Sequence, residues 1–218
     1  MIRTILFDLD ETLYPPTSGI MDELRVLILA YIRTRFDLSI EEAEELRRHY
    51  FLNYGTTMRG LQLNHDIDPD DFLDFVHDIP LHEYLRPNPL LDRALETIPQ
   101  DKVVFTNASR EHAERVLNLL GIRHHFSRIV DVRDMNYESK PQPGAYQRIC
   151  ELLAVRPEEC LLVEDNIRNL LPAKSLGMRT MLVRDGIEGG ADSVDCAIER
   201  IEEIGEAIRR LTAGEECS

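Results

Sequence analysis

The stretch that decides the fold is residues 2–13, which read IRTILFDLDETL. β-Branched and aromatic residues fill its first half and predict a buried strand. Asp8 and Asp10 follow where the strand stops. In an open α/β sheet, ligands bind beyond the carboxyl ends of the strands, so a site is expected here.

The composition limits the class of protein. The chain has 218 residues, of which 43% are hydrophobic, enough for one medium domain or for a core with a small insert. Its formal net charge of −15 argues against a nucleic acid polymer as partner, because phosphate backbones are bound by Lys and Arg surfaces. No apolar run is long enough to span a bilayer, and no signal peptide precedes the first strand, so no membrane association is expected.

Cysteine and histidine patterns indicate no zinc site. We expect free thiols in a cytoplasmic protein, because the cysteines are scattered without paired spacing. His124 and His125 follow Gly121 in a loop with no carboxylate or cysteine at metal-ligand spacing, and we expect them to be solvated. The four cysteines are Cys150, Cys160, Cys196 and Cys217.

The chain from Pro15 to Arg86 is predicted to be helical. Apolar residues recur at helical spacing over 18–36, and Ser39 opens a capping box with Glu42. Asp68 and Pro69 begin a further helix that runs to about residue 78. We expect an α-helical cap of residues 15–86, inserted after the first strand of a core formed by 1–14 and 87–218. The prolines at 15–16 and at 87–89 would act as its hinges.

After this insert the pattern alternates between strands and helices. Such alternation implies right-handed crossovers and a parallel, doubly wound, Rossmann-like sheet, so the fold class is α/β. The predicted strands are 102–106, 129–130, 160–165 and 179–183, with 194–198 as a candidate edge strand. The predicted helices are 109–121, 146–153, one ended by Gly177 with Pro172 inside it, and 199–211. From Thr212 onward we expect frayed chain.

Polar residues follow three further strands of the predicted sheet. They are Thr106 with Asn107, Lys140 in the loop after the third strand, and Glu164 with Asp165. Each has a plain explanation by itself, as a helix cap or a solvated lysine. Because the carboxyl ends of parallel strands meet at one edge of the sheet, we expect these residues to converge with Asp8 and Asp10.

In order, these segments resemble the four motifs of the haloacid dehalogenase superfamily of phosphohydrolases. The segments are DLDET at 8–12, Thr106, Lys140-Pro141 and Glu164-Asp165, and the match covers roughly 1–14 and 87–187. Four further segments resemble the pyrimidine 5′-nucleotidase branch, whose helical cap follows the first strand: DETLYP at 10–15, YGTT at 54–57, FVH at 75–77 and VFTNA at 104–108.

The resemblance implies a role for each residue. Asp8 would be the nucleophile that forms an aspartyl-phosphate, and Asp10 would protonate the leaving group and then activate water. Lys140, Thr106 and the Asn107 amide would stabilise the phosphoryl oxygens. Mg²⁺ would be held by Asp8, the backbone carbonyl of Asp10, and Asp165. Dehalogenases of this superfamily lack the second aspartate, so that activity is not expected.

Two regions go beyond the shared motifs. Where many relatives place another acid, this chain has Asn169, which we expect to form hydrogen bonds rather than to ligate, with Glu164 acting through a water. In the cap, Tyr54, Thr57, Arg59 and His65 lie near the centre. We choose Tyr54 and Thr57 as contacts of the leaving group, because Gly55 between them permits a close approach of backbone or ligand.

We therefore predict a Mg²⁺-dependent phosphomonoesterase that acts on a small metabolite, with a pyrimidine nucleoside 5′-monophosphate as first choice. The protein is expected to be a monomer or a weak homodimer. Two alternatives stay open: a sugar-phosphate mutase, which retains the phosphoryl group, and a phosphate-binding regulatory protein without turnover.

Overall fold

Six parallel strands form the central sheet of the computed structural model, which describes residues 1–184 and 193–214. Their order across the sheet is β3-β2-β1-β4-β5-β6. The parallel, doubly wound sheet agrees with the predicted fold class. The strands are β1 (Thr4–Phe7), β2 (Asp101–Phe105), β3 (Arg128–Val130), β4 (Cys160–Glu164), β5 (Arg179–Val183) and β6 (Cys196–Ile198).

Strand β1 lies in the middle of the sheet, and all of its residues are buried. Thr4 is in register with Asp101 of β2 on one side and with Cys160 of β4 on the other. The chain adds β2 and β3 outward from β1, then crosses over and adds β4 to β6 on the opposite side. The strand order thus reverses at β1, and ligands bind at such a point in doubly wound sheets.

Only helices lie between β1 and β2 in the described structure. Ser39 begins the second of them with the predicted capping box, in which its side chain accepts from the Glu42 N–H. Asn88 caps the last of them, and Pro89 is its first residue, so part of the predicted second hinge is helical. The helices are α1 (Ile20–Phe36), α2 (Ile40–Tyr54), α3 (Thr57–His65), α4 (Pro69–Val76), α5 (Leu81–Tyr84) and α6 (Pro89–Glu96), after a 3₁₀ turn at Pro16–Ser18.

Helix α3 has no counterpart among the predicted helices, because its sequence is polar and contains Gly60. The structure shows why a glycine stands there. A Cβ on Gly60 would lie 2.2 Å from the ring of Tyr50 on α2. The missing side chain therefore permits α2 and α3 to pack closely, and this contact stabilises a helix of low intrinsic propensity.

Within the described residues, the α-helices after β2 are α7 (Arg110–Leu120), α8 (Pro143–Leu153), α9 (Ile167–Ser175) and α10 (Ile204–Ala213). Helix α8 begins earlier than predicted because Pro143 occupies its first turn. Helix α10 continues to Ala213 and ends at Gly214, whose φ is 76°, so the fraying predicted from Thr212 is wrong for residues 212 and 213. Pro172 lies inside α9. None of the helices in residues 1–184 and 193–214 is both long and apolar enough to cross a membrane.

The cysteines depart from the sequence prediction at one position. Cys150 and Cys160 are buried free thiols, as expected. Cys196 on β6 takes part in a disulfide, so the prediction of a free thiol is wrong there. Cys217 lies outside the described residues.

Candidate active site

The turn after β1 brings Asp8 and Asp10 to one cavity of about 300 Å³. The Asp8 N–H donates to the Val163 carbonyl of β4 at 2.9 Å, which extends the sheet contact by one residue. Glu11 then takes a left-handed conformation, with φ of 62°, at a cost of roughly 1–2 kcal/mol for a residue with a side chain. Asp8 and Asp10 both line this cavity.

Lys140 is fully buried between two carboxylates. Its ammonium group donates to Asp8 Oδ1 at 2.7 Å and to Glu164 Oε1 at 3.0 Å. These residues come from three separate parts of the chain, and the neighbouring carboxyl ends of β1 and β4 bring Asp8 and Glu164 together. Lys140 is therefore not a solvated loop lysine. A buried cation is stable only when opposite charges of this kind pair with it.

Asn107 holds the loop that carries Lys140, and Thr106 stabilises the turn after β2. The Asn107 side chain donates to the Lys140 carbonyl at 3.0 Å and accepts from the Lys140 N–H at 2.8 Å. It is therefore committed to the backbone of Lys140, which leaves the Asn107 backbone amide as the group for a ligand. The buried Thr106 Oγ1 accepts from the Ala108 N–H at 3.0 Å, so its own proton is available to a group in the cavity.

Three carboxylates face one another beside Lys140. Oxygens of Asp8, Glu164 and Asp165 lie within 4.8 Å of one another. Burial raises the pKa of Asp8 to about 7 although Lys140 opposes the shift. Burial and the Glu164 charge raise the pKa of Asp165 to about 9. Ionisation of all three carboxylates would place more negative charge here than Lys140 balances, and hard oxygen donors in this number fit a divalent cation such as Mg²⁺.

Hydrogen bonds from two side chains and one backbone N–H orient these carboxylates. The Thr12 hydroxyl lies between Asp8 Oδ2 and Asp165 Oδ1, at 3.2 and 3.3 Å. The Asn166 N–H donates to Glu164 Oε2 at 2.8 Å, and the Asn169 side chain donates to Glu164 Oε1. Asn169 thus contacts Glu164 by a hydrogen bond, which is the kind of contact predicted for it.

The carboxylate of Asp10 stands apart from this cluster. Its Oδ1 accepts from the Tyr14 hydroxyl at 2.6 Å and lies 3.0 Å from His112 Nε2. Burial alone would raise the pKa of Asp10, but His112 and Tyr14 outweigh it and lower the pKa below the usual value. The two aspartates of the turn therefore sit in opposite electrostatic environments, with Asp8 pushed toward protonation and Asp10 toward ionisation.

Sequence reasoning assigned no role to His112 or Tyr14. The signal for His112 is its place on the first turn of α7, since the helix that follows a parallel strand begins at the carboxyl edge of the sheet. The signal for Tyr14 is weaker, because a tyrosine beside prolines is equally suited to packing. Only the folded chain shows that both reach Asp10.

Of the two cap residues predicted to contact the leaving group, Thr57 lines the cavity and Tyr54 does not. Thr57 lines the cavity, and its hydroxyl donates to the Arg47 carbonyl at 3.3 Å. Tyr54 is not among the lining residues. Its ring packs on Tyr50 and its hydroxyl donates to Asn64 at 3.3 Å, so the structure does not support it as a contact of the leaving group.

Gly55 is a point of close approach, as predicted, and the group that approaches is backbone. Its φ is 91°, and a Cβ there would lie 3.0 Å from the Lys140 carbonyl oxygen. The other two named cap residues are engaged locally: Arg59 donates to Gln62 at 2.6 Å, and His65 lies 2.6 Å from the Tyr50 hydroxyl.

His124 is solvated as predicted, with 65% of its side chain exposed, but His125 is not, and both lie near a carboxylate. Asp92 of α6 lies 2.8 Å from His125 Nε2 and 3.3 Å from His124 Nε2. The side chain of His125 is only 10% exposed. Asp92 precedes the histidine pair by more than thirty residues, so the spacing rule applied to the sequence missed it.

Comparisons with known proteins agree with this geometry. A family model described as haloacid dehalogenase-like hydrolase matches residues 2–177. Phosphate metabolism protein 8 of Saccharomyces cerevisiae is 26% identical over 191 residues, which are 81% of this chain; the match spans 60% of the yeast protein's length. Glyceraldehyde 3-phosphate phosphatase of Methanopyrus kandleri is 26% identical over 232 residues, 97% of this chain and 99% of that protein.

A solved structure of a HAD phosphatase from Thermococcus onnurineus is similar in fold. Its TM-score is 0.64 at 22% identity, and the match covers 99% of this chain and 100% of that one.

Proposed function

The chain belongs to the haloacid dehalogenase-like hydrolases, and on this premise we propose that it is a phosphatase which hydrolyses a small phosphorylated metabolite through an aspartyl-phosphate on Asp8. The observation that carries the proposal is the pairing of Asp8 with the buried Lys140 in a cavity that Asp10 also lines. In this pair Lys140 fixes the position of Asp8, the nucleophile, and Asp10 supplies a second carboxylate for proton transfer. The names of relatives, such as glyceraldehyde 3-phosphate phosphatase, support a small substrate.

The proposed reaction has two steps. An oxygen of Asp8 attacks phosphorus, the bond from phosphorus to the ester oxygen breaks, and Asp10 protonates that oxygen as the alcohol leaves. Asp10 then takes a proton from water, which attacks phosphorus and releases phosphate and the free Asp8 carboxylate. Because His112 and Tyr14 keep Asp10 ionised without substrate, the proton for the first step arrives with the substrate or from solvent.

Lys140, Thr106 and the Asn107 backbone amide would contact the phosphoryl oxygens as negative charge shifts during transfer. The ammonium of Lys140 is held by Asp8 and Glu164, and its backbone is held by the Asn107 side chain. Lys140 therefore needs little rearrangement during phosphoryl transfer. Preorganised donors of this kind are worth on the order of 3–4 kcal/mol each. Asp8, Asp165 and the Asp10 carbonyl would hold Mg²⁺, with Glu164 beside them; when bound, the cation would screen the repulsion between Asp8 and the phosphate.

Activity is expected to require a divalent cation. Removal of metal with excess chelator should abolish phosphate release, and added Mg²⁺ should restore it, because one lysine cannot balance three ionised carboxylates. Ca²⁺ should inhibit, because it prefers more ligands at longer distance than Mg²⁺ does. It would bind both carboxylate oxygens of Asp8 and disturb the geometry of attack. Phosphate release is measured at matched ionic strength. Full activity in excess chelator would remove the metal from the proposal.

The Asp10→Asn variant is expected to lose activity unevenly. Loss of proton transfer costs on the order of 10²–10⁴-fold, and least for esters whose leaving group needs no proton. The variant should therefore hydrolyse alkyl phosphates far more slowly than the wild type, while an activated aryl phosphate still phosphorylates Asp8. The measurement is kcat/KM on both esters. An equal loss on both would argue that Asp10 serves folding or closure.

For the substrate we propose a nucleoside monophosphate, with pyrimidine nucleotides first. The support is the sequence resemblance together with the cavity wall, which Arg47 and Phe51 of α2 and Met58 of α3 help to line. We further propose that residues 15–86 form the cap over the leaving group, with Thr57 among its contacts. A cytoplasmic location and a monomer or weak homodimer stay predictions from the sequence.

A substrate panel tests this function. The purified protein is supplied with Mg²⁺ and with nucleotides, sugar phosphates and short carboxylated phosphates, and inorganic phosphate is measured. Phosphate release from any of them supports a phosphatase, and a preference for pyrimidine nucleotides supports the finer proposal. Conversion of a sugar phosphate to its isomer without phosphate release would identify a mutase. Binding of phosphate esters without turnover would identify a regulatory protein.

A further inference from the structure

We infer that His112 is a positioning residue, which fixes the Asp10 carboxylate for proton transfer and is itself held by His77. The inference rests on the proposed function, because it concerns the proton-transfer role of Asp10. His112 lies on α7 and Asp10 in the turn after β1, more than a hundred residues earlier. None of the motifs that carry the family resemblance includes His112.

The environment of His112 is unusual for a polar ring. Its side chain is fully buried. Within residues 1–184 and 193–214, its Nδ1 has no hydrogen-bond partner, and its Nε2 contacts Asp10 Oδ1 at 3.0 Å. Since a carboxylate only accepts, Nε2 carries the proton of this bond. A buried imidazole with a single hydrogen bond is costly to retain, and the single hydrogen bond of this ring within the described residues goes to Asp10.

His77 holds the His112 ring from one face. The two rings stack with centroids 4.4 Å apart and planes 24° apart. His77 Nδ1 lies 2.9 Å from Ser109 Oγ, and Arg115 donates to the His77 carbonyl at 2.9 Å. Burial lowers the pKa of His77 to about 3, so the stacked ring is neutral. His77 follows α4 in the proposed cap, and the contact therefore links the placement of the cap to the placement of Asp10.

These contacts determine which carboxylate oxygen of Asp10 is available for proton transfer. Tyr14 and His112 both occupy Oδ1, at 2.6 and 3.0 Å. Oδ2 is then the oxygen left for the leaving group and for water. Two donors from different elements fix the rotation of the carboxylate, and proton transfer requires hydrogen-bond distance in the right direction.

The test compares His112→Leu with His112→Gln. The glutamine amide can replace the Nε2 donor at a similar distance along the side chain, whereas leucine removes it. We expect His112→Leu to lower kcat/KM for an alkyl phosphate on the order of 10–10²-fold more than for an activated aryl phosphate. His112→Gln should restore most of the ratio between the two esters. Leu120→Ala, a cavity variant on the same helix away from Asp10, controls for loss of stability.

The possible outcomes separate this inference from the proposed function. If His112→Leu and Leu120→Ala both slow the two esters by equal factors, His112 is structural and the inference is overturned. The same holds if His112→Gln resembles His112→Leu at equal melting temperature. If the wild type releases phosphate from no ester, the proposed function fails and this inference fails with it. A crystal structure of His112→Leu with Asp10 unmoved would also contradict it.

Discussion

Asp8→Asn is expected to reduce phosphate release to a trace on every ester while the protein keeps its fold. The amide is nearly isosteric with the carboxylate, so packing at the end of β1 is retained. It is neither a nucleophile nor a good metal ligand. Lys140 keeps Glu164 as its second partner at 3.0 Å, which limits the cost in stability. The measurement is kcat on an activated aryl phosphate, with circular dichroism and thermal melting as checks of the fold.

Asp101→Asn is the matched control, because Asp101 is an exposed aspartate at the other end of the neighbouring strand β2. It should leave turnover unchanged. An Asp8→Asn protein that is folded and retains a substantial share of wild-type turnover would show that another group attacks phosphorus.

Lys140→Met is expected to have the largest effect on stability. Methionine has a similar length, but it leaves the buried carboxylates of Asp8 and Glu164 without their cation. Breaking a buried pair by removing one partner costs on the order of 3–5 kcal/mol. Turnover should also fall strongly, because a fixed positive charge at the phosphoryl group is lost. Urea unfolding in the presence of chelator measures the change in the free energy of unfolding.

The loss of stability in Lys140→Met should depend on pH. Burial already raises the pKa of Asp8 to about 7, and Lys140 opposes the shift, so the variant's pKa is higher still. Protonated carboxylates need no cation. The difference from wild type should therefore be largest above the raised Asp8 pKa of the variant and should shrink as the pH falls from there to about 7.

Lys174→Met is the matched control, since Lys174 is partly exposed and its ion pair with Asp195 spans 3.8 Å. A loss below about 1 kcal/mol is expected there. Equal losses in both variants would mean that the buried cluster contributes no more than a surface pair.

Much of the fold follows from local patterns in the sequence. The strand before Asp8 could be predicted because a short apolar run ends in two carboxylates, and helix α2 because Ser39 and Glu42 form a capping box. Helix α3 could not be predicted, because its stability comes from the contact that Gly60 permits with Tyr50. Such tertiary packing outweighs the low propensity of the segment.

The candidate site likewise contains a part that the sequence predicts and a part that only the structure reveals. The sequence placed Asp8, Lys140 and Glu164 at one edge of the sheet because strand ends converge there, and the structure brings them within hydrogen-bond distance. The proximity of Asp10 to His112 could not be foreseen. It depends on which face of α7 points toward the turn after β1, and on the conformation of that turn. The role of the Asn107 side chain was hidden for a similar reason, because its partner is backbone.

The central claim is that phosphate passes through Asp8, and one measurement tests it most directly. The Asp10→Asn variant is mixed with Mg²⁺ and an activated aryl phosphate, quenched in acid, digested and analysed by mass spectrometry. The variant should form the aspartyl-phosphate but hydrolyse it slowly, because water activation is lost. We predict a phosphoryl group on the peptide that contains Asp8, and on Asp8 after fragmentation. A phosphoryl group on another residue, or none while the wild type turns over the same ester, would contradict the account.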